Sequence, residues 1–302
     1  MEAKDWQRQQ KVLKKLKEYI EKLIIKPDAI GAMYHYTTME ALFNGILVKE
    51  AIPQKEICLR ASDARYMNDP TEMKVGFDFL ESIGGKTPVY SKEVLASIYG
   101  DLSKIYLTSF SLRRDSLMMW HMYSNNATGV SLCFDVNKMQ EDSRDSMLRC
   151  IYFTKELSDQ IEAYLKDNNE EKGIEDNISL AYIALLIFDL LVNKGRNLDK
   201  VLPDIDSFFL FALTLKSPAY KEEQEIRLLM DSNEKSAVKY QLRNNLIIPY
   251  IEHYLPKASL REIIVGPNND MPRTIVSIQD YLKHLGFKHV RVSPSSVPYR
   301  GC

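Results

Sequence analysis

Residues 32–40 read AMYHYTTME, and this stretch decides the fold because a strand passes directly into a helix within it. Residues 32–36 are rich in β-forming side chains, which predicts a short strand. Thr37 and Glu40 have the spacing of a capping box, in which a threonine and a glutamate satisfy the unpaired N–H groups of a helix start. His35 is therefore expected at the end of a strand and just before a helix N-terminus, where side chains meet bound anionic ligands.

Short strands are predicted among helices along the rest of the chain. The strand patterns lie at 57–61, 105–111, 129–134, 147–153, 226–230, 246–250, 262–265 and 288–292, and helical patterns lie near 118–123 and 273–285. The strands and helices do not alternate regularly, and no internal repeat is visible. The sequence therefore predicts an α+β fold rather than a doubly wound α/β fold.

The whole chain, residues 1–302, is predicted to form a single domain. Residues 1–28 hold an amphipathic N-terminal helix with a basic outer face, and residues 29–154 and 218–302 form the α+β core. Residues 155–217 are predicted to be a helical insertion. The N-terminal helix is expected to pack on the domain, with binding of a partner protein as the alternative.

Composition excludes several classes of protein and function. The chain has 40 Lys and Arg against 41 Asp and Glu, and the net charge of −1 argues against a large nucleic-acid footprint. The four cysteines, with the five histidines, lack the spacing of a zinc site, so no metal is expected. The longest apolar stretch, 180–192, is shorter than the roughly 20 residues that span a bilayer. With no signal peptide, we expect a soluble, cytoplasmic protein without a membrane partner.

Residues 223–229 read EQEIRLL and carry the sharpest polar pattern in the chain. Residues two apart on a strand share a face, so Glu223, Glu225 and Arg227 are predicted to line one face at intervals of about 7 Å. Such a face is either an exposed, ion-paired strand or the wall of a polar cleft. The common phosphate-loop, dinucleotide, zinc-protease and serine-hydrolase motifs are absent.

Further candidate residues lie in structured, largely apolar surroundings, and each has a structural alternative. His35 is either a ligand-binding or a structural histidine, and the others are equally open to roles in the core or in turns. They are Tyr34 and Tyr36 beside His35, Ser109 and Ser111 on one strand face, Trp120 and Tyr123 on one helix, and Arg60 with the turn at Asn68.

Seven segments together resemble a large, mostly bacterial family known as a domain of unknown function, some of whose relatives look like abortive-infection proteins. The segments follow one another from about residue 33 to residue 300. They are Tyr34–Thr37, Asn68–Glu72, Ser109–Ser111, Trp120–Tyr123 with Gly129, Tyr220 with Glu223–Arg227, Ile263–Pro267 and Ser296–Arg300.

The stretch YHYTT, the following short helix and the late Glu-x-Glu also resemble ADP-ribosyltransferases of the DNA-modifying toxin type. This resemblance implies an ADP-ribosyltransferase-like split mixed or antiparallel sheet with three site elements. They would be His35, then Ser109 and Ser111 or Tyr123, then Glu225 with Glu223. The first element resembles the subgroup of these enzymes that has a histidine at this place. The second and third elements are closer to the subgroup whose site residues are Arg, Ser and Glu.

The resemblance implies that NAD is the substrate and that Glu225, Glu223 and His35 are catalytic. Glu225 would stabilise the oxocarbenium-like centre, Glu223 would activate the acceptor, and His35 would bind the nicotinamide ribose. NAD would be bound by a set of polar and aromatic residues: Tyr34, Tyr36, Arg60, Asn68, Ser109, Ser111, Trp120, Tyr123 and Arg227.

The expected activity is ADP-ribosyl transfer to a macromolecule, either protein or nucleic acid, or hydrolysis of NAD, in phage defence or a toxin system. Two alternatives stay open. The first is a non-enzymatic module that senses a nucleotide or binds a protein. The second is a nuclease, and an activity that depends on a divalent metal would indicate it.

Overall fold

The computed structural model describes residues 30–47, 56–69, 105–139, 147–152, 213–231, 237–243, 245–267 and 270–299. The predicted N-terminal helix in residues 1–28 and nearly all of the predicted insertion at 155–217 lie outside these residues. The described residues fall into two compact units. The larger is drawn from 26–67, 102–148 and 222–302, and the smaller from 68–101 and 149–221.

Short strands dominate the described residues. They are β1 (Ala32–Thr37), β2 (Glu56–Asp63), β3 (Ile105–Ser111), β4 (Val130–Asp135), β5 (Met147–Arg149), β6 (Ile151–Tyr152), β7 (Leu215–Lys216), β8 (Glu225–Asp231), β9 (Lys239–Arg243), β10 (Leu246–Pro256), β11 (Leu260–Val265) and β12 (Arg291–Pro294). The α-helices are α1 (Met39–Ala41), continued by a π-helical turn over Leu42–Ile46, α2 (Leu117–Tyr123) and α3 (Met271–His284). Short 3-10 helices cover Ala64–Tyr66, Val136–Lys138, Pro218–Glu223 and Lys257–Ser259.

The larger unit is built on one mixed sheet in the order β12-β11-β4-β1-β3-β2-β10-β9, and β8 pairs with β3 and β5. Strands β11 and β12 are parallel. Every other neighbouring pair in this order is antiparallel, and so is the β3–β8 pair. In the smaller unit, β6 and β7 pair in parallel. The predicted α+β class with a mostly antiparallel sheet is therefore confirmed.

Strand β3 is the point at which this sheet divides. One of its edges pairs with β8 along its whole length, from Ile105 to Ser111. The other edge pairs with β1 at Ser111 and with β2 at Tyr106 and Leu107. Residues 108–110 of β3 thus lie between the part of this edge that pairs with β1 and the part that pairs with β2. They border a split in the sheet.

Side-chain alternation gives this sheet an apolar face and a mixed face. Phe110, Leu132 and Ile226 on the apolar face are almost wholly buried. Helix α2 packs on the mixed face, where its buried Trp120 meets the ring of Tyr36 edge-on with centroids 4.8 Å apart. Aromatic pairs favour this edge-to-face geometry, so the contact anchors α2 on β1.

The first helix begins one residue later than the capping-box pattern predicts. Thr38, and not Thr37, is the N-cap, and its Oγ1 accepts a hydrogen bond from the Ala41 N–H at 3.0 Å. Thr37 is still in the sheet, paired with Val130. The backbone of Thr37 is committed to the β1–β4 ladder, so the next threonine takes the capping role.

Other element boundaries follow the sequence prediction, with several exceptions. Strand β7 lies within the predicted helical insertion at 155–217, the single strand predicted over 147–153 is divided into β5 and β6, and β12 begins three residues later than predicted. Strand β10 runs on to Pro256 because its second half pairs with β2, from Tyr250 opposite Ser62 to Pro256 opposite Glu56. Strand β9 has no counterpart among the predicted strands, and it exists through its pairing with the first half of β10. None of the helices in the described ranges is long and apolar enough to cross a membrane.

Candidate active site

A row of directly paired residues crosses the mixed face of the sheet. Tyr34 on β1 is paired with Ser111 on β3, and Ser111 is paired with Glu225 on β8. Residues opposite each other in antiparallel strands project from the same face, so all three side chains lie on one side. The sheet therefore brings together three sequence-predicted residues that are far apart in the chain.

Glu225 and Arg227 form a buried ion pair on this face. Arg227 Nε donates to Glu225 Oε1 at 3.1 Å, and Arg227 Nη2 donates to Oε2 at 3.0 Å. The side chain of Arg227 is 0% exposed and that of Glu225 is 4% exposed. The two-residue spacing on β8 makes this contact possible, because alternate residues share a face. The guanidinium fixes both carboxylate oxygens of Glu225 in one orientation.

Glu223 does not continue this strand face as the alternation pattern predicts. Gln224 has a φ of +44°, in the left-handed region that non-glycine residues seldom adopt, and the strand begins only at Glu225. Glu223 instead ends a 3-10 turn, and its buried Oε1 accepts a hydrogen bond from the Tyr123 hydroxyl at 2.5 Å. Tyr123 thus bonds Glu223 and Arg227 bonds Glu225, although the two carboxylates are only two residues apart in the chain.

The two serines of β3 share the mixed face but differ in their hydrogen bonds. Ser111 Oγ donates to the Glu223 carbonyl at 2.5 Å and accepts from the Arg113 N–H at 2.9 Å. This contact ties the turn that carries Glu223 to the end of β3. Ser109 is paired with Arg227, and its buried Oγ has no hydrogen-bond partner in the described part of the chain. A buried hydroxyl of this kind is available to a ligand that reaches it.

His35 projects from the apolar face, because it lies between Tyr34 and Tyr36 on β1. Its Nδ1 hydrogen-bonds the Ser109 carbonyl at 2.9 Å, and its ring lies 5.7 Å from that of Phe110. A carbonyl can only accept, so Nδ1 carries the proton. Burial lowers the pKa of His35, and the bond to Ser109 opposes this only in part. The lowered pKa favours the neutral form of His35. The side chain borders the split in the sheet and does not share the face of Glu225.

The predicted aromatic residues divide between the core and the edge of the site. Tyr36 and Trp120 are core residues, and the Tyr36 hydroxyl donates to the Arg113 carbonyl at 2.8 Å. Tyr34 is partly exposed, and burial beside Cys133 raises its pKa to about 12. Tyr34 therefore lies closer to solvent than Tyr36 does, on the same face as Glu225.

Arg60 is not part of this row of residues. Arg60 is exposed on β2, donates to Gln241 Oε1 at 3.1 Å, and lies over the ring of Tyr250 at 4.9 Å. It shares the mixed face, because Ser62, two residues away, is paired with Leu107 of β3. Asn68 belongs to the smaller unit.

Asp115 is a structural centre that the sequence patterns do not indicate. Its Oδ1 accepts from Trp120 Nε1 at 2.7 Å and from Ser295 Oγ at 2.6 Å. Its Oδ2 accepts from the N–H and hydroxyl of Ser296 at 2.6 and 2.7 Å. One carboxylate thus joins α2 to the segment after β12. Its position between Arg114 and a helix start is ordinary for an aspartate, so no local signal marks it.

Replacing Asp115 with asparagine is expected to destabilise the protein most at neutral pH. Burial acts to raise the pKa of Asp115, but the hydrogen bonds from Ser295, Ser296 and Trp120 outweigh it and the pKa lies below its ordinary 3.8. A lowered folded-state pKa stabilises the fold above the unfolded value and loses this contribution as pH falls through the folded value. The difference between Asp115→Asn and wild type should therefore shrink below about pH 4.

Urea unfolding of both proteins at about pH 7, pH 5 and pH 3 measures this difference. Asp280→Asn is the matched control, because the Asp280 carboxylate is 68% exposed and contacts Lys283 at the surface. A difference for Asp115→Asn that stays constant from pH 7 to pH 3 would contradict the prediction.

Across the described residues, no group of three or more His, Cys, Asp or Glu side chains is placed to hold a metal ion.

Residues 119–228, about a third of the chain, match a family described as "Protein of unknown function (DUF2971)". The resemblance to a domain of unknown function is confirmed over this range. The matched segment contains both the Tyr123–Glu223 and the Glu225–Arg227 contacts. A search of curated proteins gave no match, and a search of solved structures gave none either.

Proposed function

We propose that this chain, which carries a domain of unknown function, is an ADP-ribosyltransferase-like enzyme that cleaves NAD. The observation that carries the proposal is the row formed by Tyr34, Ser111 and Glu225 on one face of adjacent strands. The ADP-ribosyltransferase resemblance implies a His or Arg on the first core strand, a Tyr or Ser-x-Ser element and a late glutamate. The row supplies the serine from β3 and the glutamate from β8, whereas Tyr34 on β1 stands beside them in place of the expected His35.

The division of the sheet at β3 supports the same proposal. Strands β1 and β2 both pair with one edge of β3 and separate on either side of residues 108–110. This agrees with the split sheet that the resemblance implies. His35 binds the Ser109 carbonyl there and holds the border of the split. In this proposal His35 shapes the site from the apolar face, and Tyr34 takes the position beside the substrate.

The proposed chemistry breaks the bond between C1′ of the ribose and the nicotinamide nitrogen. Nicotinamide leaves with the bonding electrons, and C1′ gains oxocarbenium character. The Glu225 carboxylate, oriented by Arg227, would stabilise this charge. A water or a nucleophile of a macromolecule then bonds to C1′ and loses a proton, for which Glu223 would be the acceptor. Hydrolysis and ADP-ribosyl transfer differ only in this nucleophile.

The test is incubation of the purified chain with NAD, with nicotinamide release followed by chromatography. Glu225→Gln should lower the rate at least about a hundredfold, the loss found when an electrostatic stabiliser is removed. Glu252→Gln is the matched control, since Glu252 lies on the same face but on β10, bonded to Lys239 and Tyr254. Near-ultraviolet circular dichroism checks that both variants fold.

Equal release by wild type and Glu225→Gln would overturn the proposed role of Glu225, and absence of both NAD binding and release would overturn the function. Labelled NAD then distinguishes transfer to protein or nucleic acid from hydrolysis. Induction of the wild type and of Glu225→Gln in bacterial cells tests the proposed setting, because a toxin or defence enzyme would arrest growth only with an intact site.

A second candidate function is a non-enzymatic module that binds a nucleotide. It is favoured by the burial of Glu225 and Arg227 against each other, since such a pair also suits a purely structural role. Binding of NAD measured by calorimetry, without nicotinamide release and without an effect of Glu225→Gln on affinity, would establish this second function over the first.

A further inference from the structure

We propose that Arg114 and Arg291, both held by Glu262, form a binding site for the phosphate groups of a nucleotide. These two arginines are called the arginine pair. Arg291 is on β12, and Arg114 is in the segment between β3 and α2. The inference goes beyond NAD cleavage, and none of the sequence motifs singles out these residues.

The buried carboxylate of Glu262 places the two guanidinium groups side by side. Its Oε1 accepts from Arg114 Nη2 at 2.9 Å and contacts Arg291 Nη2 at 2.7 Å. Ser293 Oγ donates to the same oxygen at 2.6 Å. The Glu262 side chain is only 5% exposed. A carboxylate so fixed holds both arginines in defined positions before any ligand arrives.

Most of the hydrogen-bonding capacity of the arginine pair faces away from Glu262. Each guanidinium carries five N–H donors and contacts Glu262 through one nitrogen only. No other hydrogen-bond acceptor contacts either guanidinium within the described ranges. The side chains of Arg114 and Arg291 are 41% and 69% exposed. The outward donors have the planar geometry that binds phosphate oxygens in pairs.

The local charge favours an anion. Two guanidinium groups and one carboxylate leave one net positive charge, and Arg261 is next to Glu262 in the chain. Asp115 lies beside Arg114 and adds a second negative charge, because its four hydrogen bonds come from neutral groups. With Arg261 counted, three guanidinium groups face two carboxylates, and the cluster keeps one net positive charge that a phosphate group would neutralise.

The ligand is assigned as a nucleotide rather than a nucleic acid on the size of the site. Two guanidinium groups that meet at one oxygen can contact one phosphate or one diphosphate, whereas a nucleic-acid surface needs an extended basic stripe. Tyr34 is partly exposed on this face and lies two strands from Glu262, since Glu262 is paired with Cys133 and Cys133 with Tyr34. A base could stack on its ring.

The arginine pair is distinct from Glu225, although Tyr34 lies between them and borders both sites. Glu262, Cys133, Tyr34, Ser111 and Glu225 are successive partners across β11, β4, β1, β3 and β8. Four strand spacings of about 4.8 Å place Glu262 about 19 Å from Glu225. Loss of binding at the arginine pair can therefore be measured without altering Glu225.

The test is calorimetric titration of the full chain with ADP, pyrophosphate and adenosine. The variants are Arg291→Gln, which leaves Arg114 and Ser293 on Glu262, and the double variant Arg114→Gln with Arg291→Gln. Arg273→Gln is the matched control, because Arg273 is an exposed arginine that contacts a carboxylate, Asp270, on α3. A single-stranded oligonucleotide serves as the nucleic-acid probe.

ADP and pyrophosphate should bind and adenosine should not, and each lost arginine should weaken ADP binding about tenfold. Arg273→Gln should bind like the wild type. Failure of the wild type to bind ADP and pyrophosphate would overturn the inference, as would equal ADP affinity in wild type and double variant. Tight binding of the oligonucleotide without binding of ADP would replace the nucleotide with nucleic acid.

Discussion

Replacement of Arg227 with methionine is expected to lower the free energy of unfolding by about 3–5 kcal/mol, the range found when one partner of a buried ion pair is removed. Methionine fills much of the same volume, so the loss is electrostatic rather than a cavity effect. The Glu225 carboxylate would remain buried without the two N–H donors that Arg227 supplies. A buried carboxylate cannot recover the solvation that it loses on folding.

Urea unfolding followed by circular dichroism measures this effect. Arg273→Met is the matched control: it removes an arginine that is 88% exposed and should change stability by less than about 0.5 kcal/mol. Adding Glu225→Gln to Arg227→Met should recover part of the loss, because the neutral amide is less costly to bury. A loss below about 1 kcal/mol for Arg227→Met would contradict the prediction.

Replacement of Gly129 with alanine is expected to destabilise the protein by about 3 kcal/mol or more, at the upper end of the range for overpacking. A Cβ at this position would lie 2.2 Å from the Thr37 carbonyl oxygen and 3.0 Å from the Ser124 carbonyl oxygen. Both contacts are with backbone, which cannot rotate away as a side chain can. The Gly129 carbonyl also accepts from the Gly266 N–H at 2.9 Å, so any displacement disturbs a second strand.

Gly31→Ala is the control for this prediction, because a Cβ added at Gly31 would have no atom within 4 Å of it. That variant should be neutral or slightly stabilising, since alanine restricts the unfolded chain more than glycine does. Comparison of the two melting temperatures checks the prediction. Similar melting temperatures for Gly129→Ala and Gly31→Ala would mean that β1 and the segment before β4 separate easily.

Local periodicity is sufficient to predict most strands of the larger unit. Alternation alone predicts a strand over residues 105–111, and β3 has these bounds. Strand β9 is not predicted, because every one of its residues except Gln241 is exposed. Burial therefore places little constraint on the order of its apolar and polar residues. Its position is determined by pairing with β10, a contact that composition does not encode.

The candidate site shows the same division. The contact between Glu225 and Arg227 follows from two-residue spacing and is predictable as one face of a strand. The same rule does not apply to Glu223, because the left-handed backbone of Gln224 separates it from the strand, and Glu223 bonds Tyr123 from the end of a 3-10 helix. Tyr123 is a hundred residues earlier in the chain, and no local pattern connects the two.

Composition and local periodicity are enough to predict the α+β class, most strand positions and the residues of the candidate polar site. Strand pairing is needed to show that Tyr34, Ser111 and Glu225 share a face, that His35 projects from the other one, and that Glu262 holds two arginines. Periodicity records only which side of a strand is buried. Strand register, which decides the neighbours of each side chain, is set by hydrogen bonds between distant segments.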